Sequence, residues 1–464
     1  MTVVTESLRE ALAAFARVSD GDSERDLHAA DMTFHRSRRP DLVVYPGSTE
    51  EVSRTLELAH ARRVPVTPFG AGSSLEGHVI PTQGGISLDL SGLNRVLEVA
   101  PADLTATVQA GVTRSALERA AGAHGLFFPV DPGADATLGG MAATNAAGTM
   151  TIRYGKMRPN VLGLEAVLAD GSVIRTGGKA RKTSAGYDLQ SLLVGSEGTL
   201  AVITELRLCL YAIPEHVVAQ RLSFASLEAA CGTAAAIVAA GSAVTRLELL
   251  DGRTIADINA HFGTGYPEGP CLLVEAAGTE ATVEADLELV RELADSEGVL
   301  DVTEEREADG RARLWRTRHE AAYAAAAAAP GKRERATDTC VPVSELAGAV
   351  AFARAEVERL GLSGAILGHA GDGNVHVGLQ IDPDDQDELA RADELVERLV
   401  TDALARGGTC TGEHGIGLGK LRALEREHGD LVPLMRGIKQ LFDPNGILNP
   451  GKIFTPEPPP REER

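Results

Sequence analysis

The run from Asp131 to Gly148 carries almost no side chain larger than a methyl or a short hydroxyl, apart from Pro132, Leu138, Met141, Asn145 and two aspartates. A backbone so thinly covered can be approached at contact distance, so the run either seats a helix start tightly against its neighbours or lies along a flat ligand. Two more small-residue turns fall in the same half of the chain. Val66 to His78 contains Gly70, Ala71, Gly72, Ser73, Ser74 and Gly77 after a predicted strand, and Val194 to Leu200 contains Gly195, Ser196 and Gly198. Consecutive N–H groups in the first turn could surround an anion such as pyrophosphate. It is not a dinucleotide fingerprint, because Leu75 stands where the third Gly should be and Gly77 and Pro81 interrupt any following helix. It also lacks the Lys of a P-loop. Alone, each turn reads as only a turn; three together point to a large cofactor.

The chain has 464 residues, enough for roughly three domain-sized units. Its 45 Lys and Arg against 66 Asp and Glu give a formal charge of −21, which disfavours nucleic-acid backbones and anionic lipid. Cys209, Cys231, Cys271, Cys340 and Cys410 are scattered with no close pair, so they read as reduced core residues rather than a disulfide framework or a cluster site. The apolar run at Ala324 to Ala329 is far too short for a membrane span, and the N-terminal segment lacks the pattern of a signal peptide. A cytoplasmic protein, at most peripheral to a membrane, is expected.

From Asp41 to about Thr204, short apolar runs alternate with amphipathic stretches, an α+β pattern. Ser48 to Glu51 forms a capping box that starts a helix with Val52, Leu56 and Ala59 on one face, and a second helix starts near Thr113. Val64–Thr67, Ile86–Leu90, Leu164–Leu168 and Leu200–Leu210 read as strands. After Pro214 the texture changes to Ala-rich helices between apolar strands, which predicts domains at 1–214 and 215–406, with 407–464 as a closing segment. A helix through Leu389 and Ala403 ends at Gly407-Gly408; Lys332 to Arg335 reads as a charged turn, and the Pro-rich tail from Thr455 as disordered. No repeat of 20 to 50 residues is present.

His369 and His376 flank the Gly371-Asp372-Gly373-Asn374 stretch, a hairpin connection. On one straight strand, residues seven apart face opposite ways; folded over a short loop, the two imidazoles meet at paired strand ends. They are then either surface polar residues or ligands of a divalent cation, which favours neutral imidazole with a carboxylate. Glu413 and His414, bracketed by Gly412 and Gly415, offer that carboxylate and a further imidazole. Leu314-Trp315-Arg316-Thr317-Arg318 supplies guanidinium groups suited to bidentate binding of a carboxylate.

These elements resemble the vanillyl-alcohol oxidase type of flavoprotein, and more closely the D-lactate dehydrogenase (cytochrome) and glycolate oxidase flavin-subunit branch. The likeness runs from about Asp41 to Lys452, with the motifs in order. It implies an α+β fold with a two-part FAD-binding domain and an α/β cap, and FAD contacts at Pro68, Gly70, Ala71, Gly72, Ser73, Ser74, Gly77, His78, Pro132, Gly133, Thr137, Gly140, Ala143, Thr144, Ala147, Gly148, Glu197, Gly198, Ile203 and Asn449. Covalent members carry a His within the first loop, where this chain has Gly, Ala and Ser, so the resemblance implies a non-covalent FAD. The His-x-Gly-Asp-Gly-Asn-x-His and Gly-Glu-His-Gly motifs fall on His369, His376 and Glu413 as ligands of Zn, Mn or Fe, with His414 as general base. The Leu-Trp-x-x-Arg pattern gives Arg318 as the substrate-carboxylate residue; Arg316 keeps its reading as an exposed helix charge.

The implied reaction is oxidation of a D-2-hydroxy acid, D-lactate foremost, with hydride passing to flavin N5 and electrons leaving to a cytochrome, a quinone or a partner subunit. Glycolate and D-2-hydroxyglutarate relatives share the same core. An iron–sulfur partner chain and a homodimer are both compatible with this reading. From another class, two His and one carboxylate also suit a non-haem iron oxygenase, which leaves the first 200 or so residues without a role.

Overall fold

A computed structural model of the chain describes residues 4–454. The tail expected to be disordered, from Thr455 on, lies outside the described residues. The amino-terminal half holds two larger sheets and the two-stranded pair Leu126–Phe127 with Tyr211–Ala212. One has the strand order Arg17–Ser19, Leu42–Tyr45, Ile86–Asp89, Val66–Phe69, with the last three mutually parallel. The other is antiparallel, in the order Val96–Ala100, Thr105–Gln109, Val202–Cys209, Val161–Val167, Val173–Gly177. Together with the helices they match the expected α+β organisation.

The helix over Thr49–Arg62 starts as predicted, with Ser48 Oγ accepting from the Glu51 amide. The reciprocal half of the capping box differs. Glu51 Oε2 accepts from the Gly47 amide at 2.7 Å, one residue outside the N-cap, instead of from Ser48. Val52, Leu56 and Ala59 are fully buried against Val44, Val66 and Leu88. Thr113 caps the helix Arg114–Gly122.

Beyond Pro214 an eight-stranded sheet has the order Asp301–Glu305, His216–Ser223, Cys271–Gly278, Arg246–Leu250, Gly364–His369, Asn374–Ile381, Arg333–Ala336, and Thr339–Cys340 also pairs with the Asn374 strand. Its central strands are buried on both faces, so the pleat sends alternate residues into different layers. Leu247, Leu249, Leu272, Val274, Ile366, Val375 and Val377 pack under the helices Leu227–Ala239, Leu346–Arg359 and Gln386–Ala405. The alternate residues Leu250, Cys271 and Leu273 face a second layer containing Ile255, Ile258, Leu314 and Trp315.

The segment Lys332 to Arg335, expected as a charged turn, is instead mostly the strand Arg333–Ala336 at the sheet edge. Its cations are taken up laterally, Lys332 by Glu388 at 2.6 Å and Arg335 by Asp393 at 2.7 Å, so the charge does not oppose pairing with Leu379 and Gln380. The closing segment returns to the first sheet, where the Asn449 amide donates to Val66 O and the Val66 amide donates to Ile447 O.

Candidate active site

The sheet register decides which face receives the two histidines. Glu248 lies directly opposite His369 across one antiparallel pair, and Leu367 lies opposite His376 across the next. Directly opposed residues share a face, and Val375 and Val377 already occupy the helix-packed one. Glu248, His369 and His376 therefore project together on the other side, and the four residues Ala370 to Gly373 turn the hairpin between the imidazoles.

Both imidazoles aim Nε2 at one oxygen, Glu413 Oε1, at 3.2 Å each. Their other nitrogens are committed. His376 Nδ1 donates to Thr337 O at 3.0 Å, and His369 Nδ1 meets Glu248 Oε1 at 2.7 Å. A carbonyl and a carboxylate oxygen only accept, so each Nδ1 carries a hydrogen and, in the neutral ring, each Nε2 keeps a lone pair. Two nitrogen lone pairs and a carboxylate oxygen then converge, an arrangement that a proton or a cation must satisfy. Among the described residues these three form a group able to hold a metal ion, one donor atom each, all within 4.8 Å of one another. Burial disfavours charge on His369, but the Glu248 and Glu413 carboxylates outweigh it and hold the imidazole well above its ordinary range. Glu413 is likewise held well below its ordinary range, burial being outweighed by His369 and His376.

The loop that carries Glu413 and His414 is fixed by Asp338, a fully buried residue between two short strands. Its carboxylate accepts from the amides of Gly412, Glu413 and His414 at 3.0, 3.1 and 2.9 Å, from Thr411 Oγ1 at 2.6 Å and from Asn374 Nδ2 at 2.7 Å. Burial opposes its ionisation, yet Lys420 and the hydrogen bond from Thr411 keep its pKa well below the ordinary one. From the other side, Glu197 accepts from the amides of Ile416 and Gly417 at 2.7 and 2.9 Å. Glu197 and Asn449 both have left-handed backbones, with φ of 54° and 41°. Non-glycine residues hold that conformation only where surroundings over-determine it, and it gathers at functional sites.

One cavity joins these parts. It is lined by Pro68, Gly70 to Ser74 and His78 from the first loop, and by Pro132, Thr137, Gly140, Ala143, Thr144 and Ala147 from the small-residue run. Glu197, Gly198, Ile203 and Asn449 complete its wall, together with Glu413 and His414. Where the glycine loop and the small-residue run form its wall, that wall is largely backbone and short side chains, which leaves room for a flat group. His78 is buried there with no hydrogen bond to either ring nitrogen, although Nε2 lies 3.3 Å from Glu197 Oε2, and His414 Nδ1 is likewise buried without a partner. Such orphaned polar atoms fit a cavity whose polar ligand completes them. His414 stacks on His376 with ring centroids 5.2 Å apart. Burial is the largest influence on its pKa and lowers it, with Lys420 pushing the same way, against the pull of Asp338 and Glu413.

Three of the residues expected to touch the cofactor do not line the cavity. Gly148 packs on the Asp131 backbone, where a Cβ would collide, and Gly77, with φ of 75°, lets the Leu418 side chain approach. Gly133 turns in open space at φ 81°. Close packing and turning use glycine for the same reason a cofactor does. Arg318 is buried beside Glu248, donating from Nε at 2.8 Å and pairing through Nη2 at 2.7 Å, whereas Arg316 is exposed and pairs with Glu320. Cys340 is only half-buried, so it departs from the expected core placement, and the other four cysteines are buried and free. Glu248 and Asp338 are site residues that no motif singles out. The one available signal for Glu248 is a lone acid within the apolar run Leu247 to Leu250.

A family model described as an FAD binding domain matches residues 40–177, and one described as FAD linked oxidases, C-terminal domain, matches residues 213–453. The fold is similar to p-cresol methylhydroxylase with substrate bound, at a TM-score of 0.78 and 16% identity over 97% of this chain and 98% of that one. It is also similar to 4-ethylphenol oxidase from Gulosibacter chungangensis, at 0.76 and 17% over 98% of each. The two family matches define an FAD-linked oxidase, and its fold is that of the vanillyl-alcohol oxidase type. A probable mitochondrial D-lactate dehydrogenase of Danio rerio is 44% identical over 94% of this chain and 89% of its own length. The mitochondrial D-lactate dehydrogenase [cytochrome] of Arabidopsis thaliana is 40% identical, covering 93% and 77%. Glycolate oxidase subunit GlcD of Bacillus subtilis is 36% identical, covering 98% of each. The chain belongs to the FAD-linked oxidase family, in the branch that holds these D-lactate dehydrogenases and the glycolate oxidase subunit. The FAD binding domain matched at residues 40–177 gives most of the first 200 or so residues a role that the oxygenase reading lacks. Among the described residues no helix is long and apolar enough to cross a membrane.

Proposed function

We propose that the protein oxidises a D-2-hydroxy acid, D-lactate foremost, to the 2-oxo acid and passes the electrons to an external acceptor, a cytochrome, a quinone or a partner subunit. The observation that carries this reading is that His414 and Glu413 line the same cavity as the glycine loops while His369 and His376 converge on Glu413. The names of the relatives support the substrate class.

Bound FAD would supply the hydride acceptor, flavin N5. The loops from Pro68 to His78 and from Pro132 to Ala147, with Glu197, Gly198, Ile203 and Asn449, would hold it without a covalent bond. His369, His376 and Glu413 would hold Zn, Mn or Fe, and such an ion would supply Lewis acidity toward the substrate hydroxyl. His414 is kept neutral by burial and neighbouring positive charge, so its imidazole is free to take the hydroxyl proton. Arg318 gives its Nε side to Glu248, which leaves the end-on edge of the guanidinium for the substrate carboxylate. In this division of labour residues 1–214 bind FAD, 215–406 form the cap that brings Arg318 and the two histidines, and 407–464 brings Glu413 and His414 and returns to the first sheet. A cytoplasmic location remains part of the reading, although two of the relatives are named mitochondrial; fractionation of native cells tests it.

The deciding experiment mixes the oxidised holoenzyme anaerobically with D-lactate, L-lactate, glycolate and D-2-hydroxyglutarate and follows the flavin absorbance. Rapid bleaching by D-lactate is expected, and a flavin that none of the hydroxy acids reduces rejects the proposal.

A further inference from the structure

We infer that Glu248 is a positioning residue that locks His369 and Arg318 into one unit, so that a single buried carboxylate sets both cation binding and recognition of the substrate carboxylate. The inference rests on the functions proposed above for those two residues. Glu248 is 0% exposed and sits in the strand Arg246–Leu250, flanked by Leu247 and Leu249, whose side chains enter the opposite layer. A carboxylate in such a place is costly unless its oxygens are fully used. Both are used, and by different elements. Oε1 meets His369 Nδ1 at 2.7 Å from the neighbouring strand, and Oε2 takes Arg318 Nε at 2.8 Å and Nη2 at 2.7 Å from the helix Ala308–His319.

The two contacts have distinct chemical consequences. Accepting from Nδ1 fixes the His369 tautomer that presents the Nε2 lone pair toward Glu413, and such outer partners govern metal affinity. Accepting from the Nε side of Arg318 aims the remaining guanidinium edge away from the strand. Glutamine has the same shape and cannot do both. Its single oxygen can serve His369 or Arg318, and the NH2 then faces the other. An NH2 toward His369 Nδ1 favours the tautomer with hydrogen on Nε2, which removes the lone pair from the cation site. An NH2 toward Arg318 opposes donor to donor and releases the guanidinium.

The test compares wild-type holoenzyme and Glu248→Gln, both stripped with chelator and checked for FAD content. Zn2+ and Mn2+ are titrated by equilibrium dialysis, and KM and kcat for D-lactate are measured on the reloaded proteins. The inference expects FAD content to be unchanged, cation affinity to fall about 10–100-fold, and KM to rise with it. Glu248→Asp, which keeps the carboxylate on a shorter arm, is expected to recover part of the cation affinity. Equal cation affinity and equal KM in wild type and Glu248→Gln overturn the inference and leave the metal reading intact, whereas a wild type that binds neither cation overturns both. Should the variants not accumulate, the histidine 15N spectrum of the Zn2+-loaded wild type decides: hydrogen on Nδ1 of His369 is expected, and hydrogen on Nε2 overturns the inference.

Discussion

Lys420 neutralises Asp338 from a position 82 residues further along the chain, its Nζ 3.2 Å from Asp338 Oδ2 and 3.0 Å from Asp338 O, with Glu76 Oε1 at 3.3 Å on its other side. The ammonium joins the first glycine loop, the cap and the Glu413-His414 loop at one buried point. Burial works against its charge, and the two carboxylates hold its pKa above the ordinary lysine value. Lys420→Met would keep the length and remove the charge, leaving two buried carboxylates without their cation. Removing one partner of a buried pair costs about 3–5 kcal/mol, so a large fall in the urea midpoint is expected. An unchanged midpoint would mean that Asp338 and Glu76 are satisfied without Lys420.

His414→Ala tests the base. Its amide still reaches Asp338 and the loop glycines are untouched, so FAD should stay bound. The rate of flavin bleaching by D-lactate under anaerobic stopped flow should fall by about 10²–10⁴-fold, the usual share of a general base. Bleaching at the wild-type rate would remove His414 from the proton transfer.

Chelation tests the donor set. Of the three donors only Glu413 lines the cavity, and none belongs to the glycine loop or the small-residue run that would hold FAD, so dialysis against chelator should abolish turnover while the yellow colour remains. Activity should return on adding back Zn2+, Mn2+ or Fe2+. Full turnover in a sample shown by elemental analysis to be metal-free would exclude an ion from the reaction.

How far the site could be read in advance depended on whether its signals were local. The glycines that bracket Glu413 and His414, and the turn residues between His369 and His376, announce their chemistry within a few residues of each group. Glu248 does not, because its partners stand 70 and 121 residues away, Arg318 brought in by the packing of a helix and His369 by the pairing register of two strands. Asp338 is still less visible, since it owes its place to a break between two short strands paired to the same neighbour. Gly148 and Gly77 show the ambiguity of a glycine signal, since a missing Cβ serves packing against a backbone or a leucine as well as it serves a cofactor. Charge misled at Lys332 to Arg335, where partners on the helix Gln386–Ala405 let a charged segment pair as a strand.

Away from the site, His28 and Asp89 supply a pH dependence with a definite sign. His28 is fully buried, donating from one ring nitrogen to Glu24 O at 2.7 Å and meeting Asp89 Oδ2 with the other at 3.0 Å. Burial alone would lower the His28 pKa, but Asp89 and the Glu24 carbonyl raise it above 6.5. Burial alone would raise the Asp89 pKa, but His28 and Ser91 lower it below 3.8. The imidazolium's contribution is complete below pH 6.5 and is lost as pH rises through the folded His28 value. The carboxylate's contribution is complete above pH 3.8 and is lost as pH falls through the folded Asp89 value. The pair therefore contributes most between these limits. Asp89→Asn keeps an acceptor for the Ser91 amide and removes the charge. The loss, on the order of 1–3 kcal/mol for a hydrogen bond to a charged group, should be largest near pH 5 and shrink toward pH 8. Urea midpoints of wild type and variant across pH 4 to 8 measure it, and a difference that grows with rising pH would show that His28 is neutral in the folded protein.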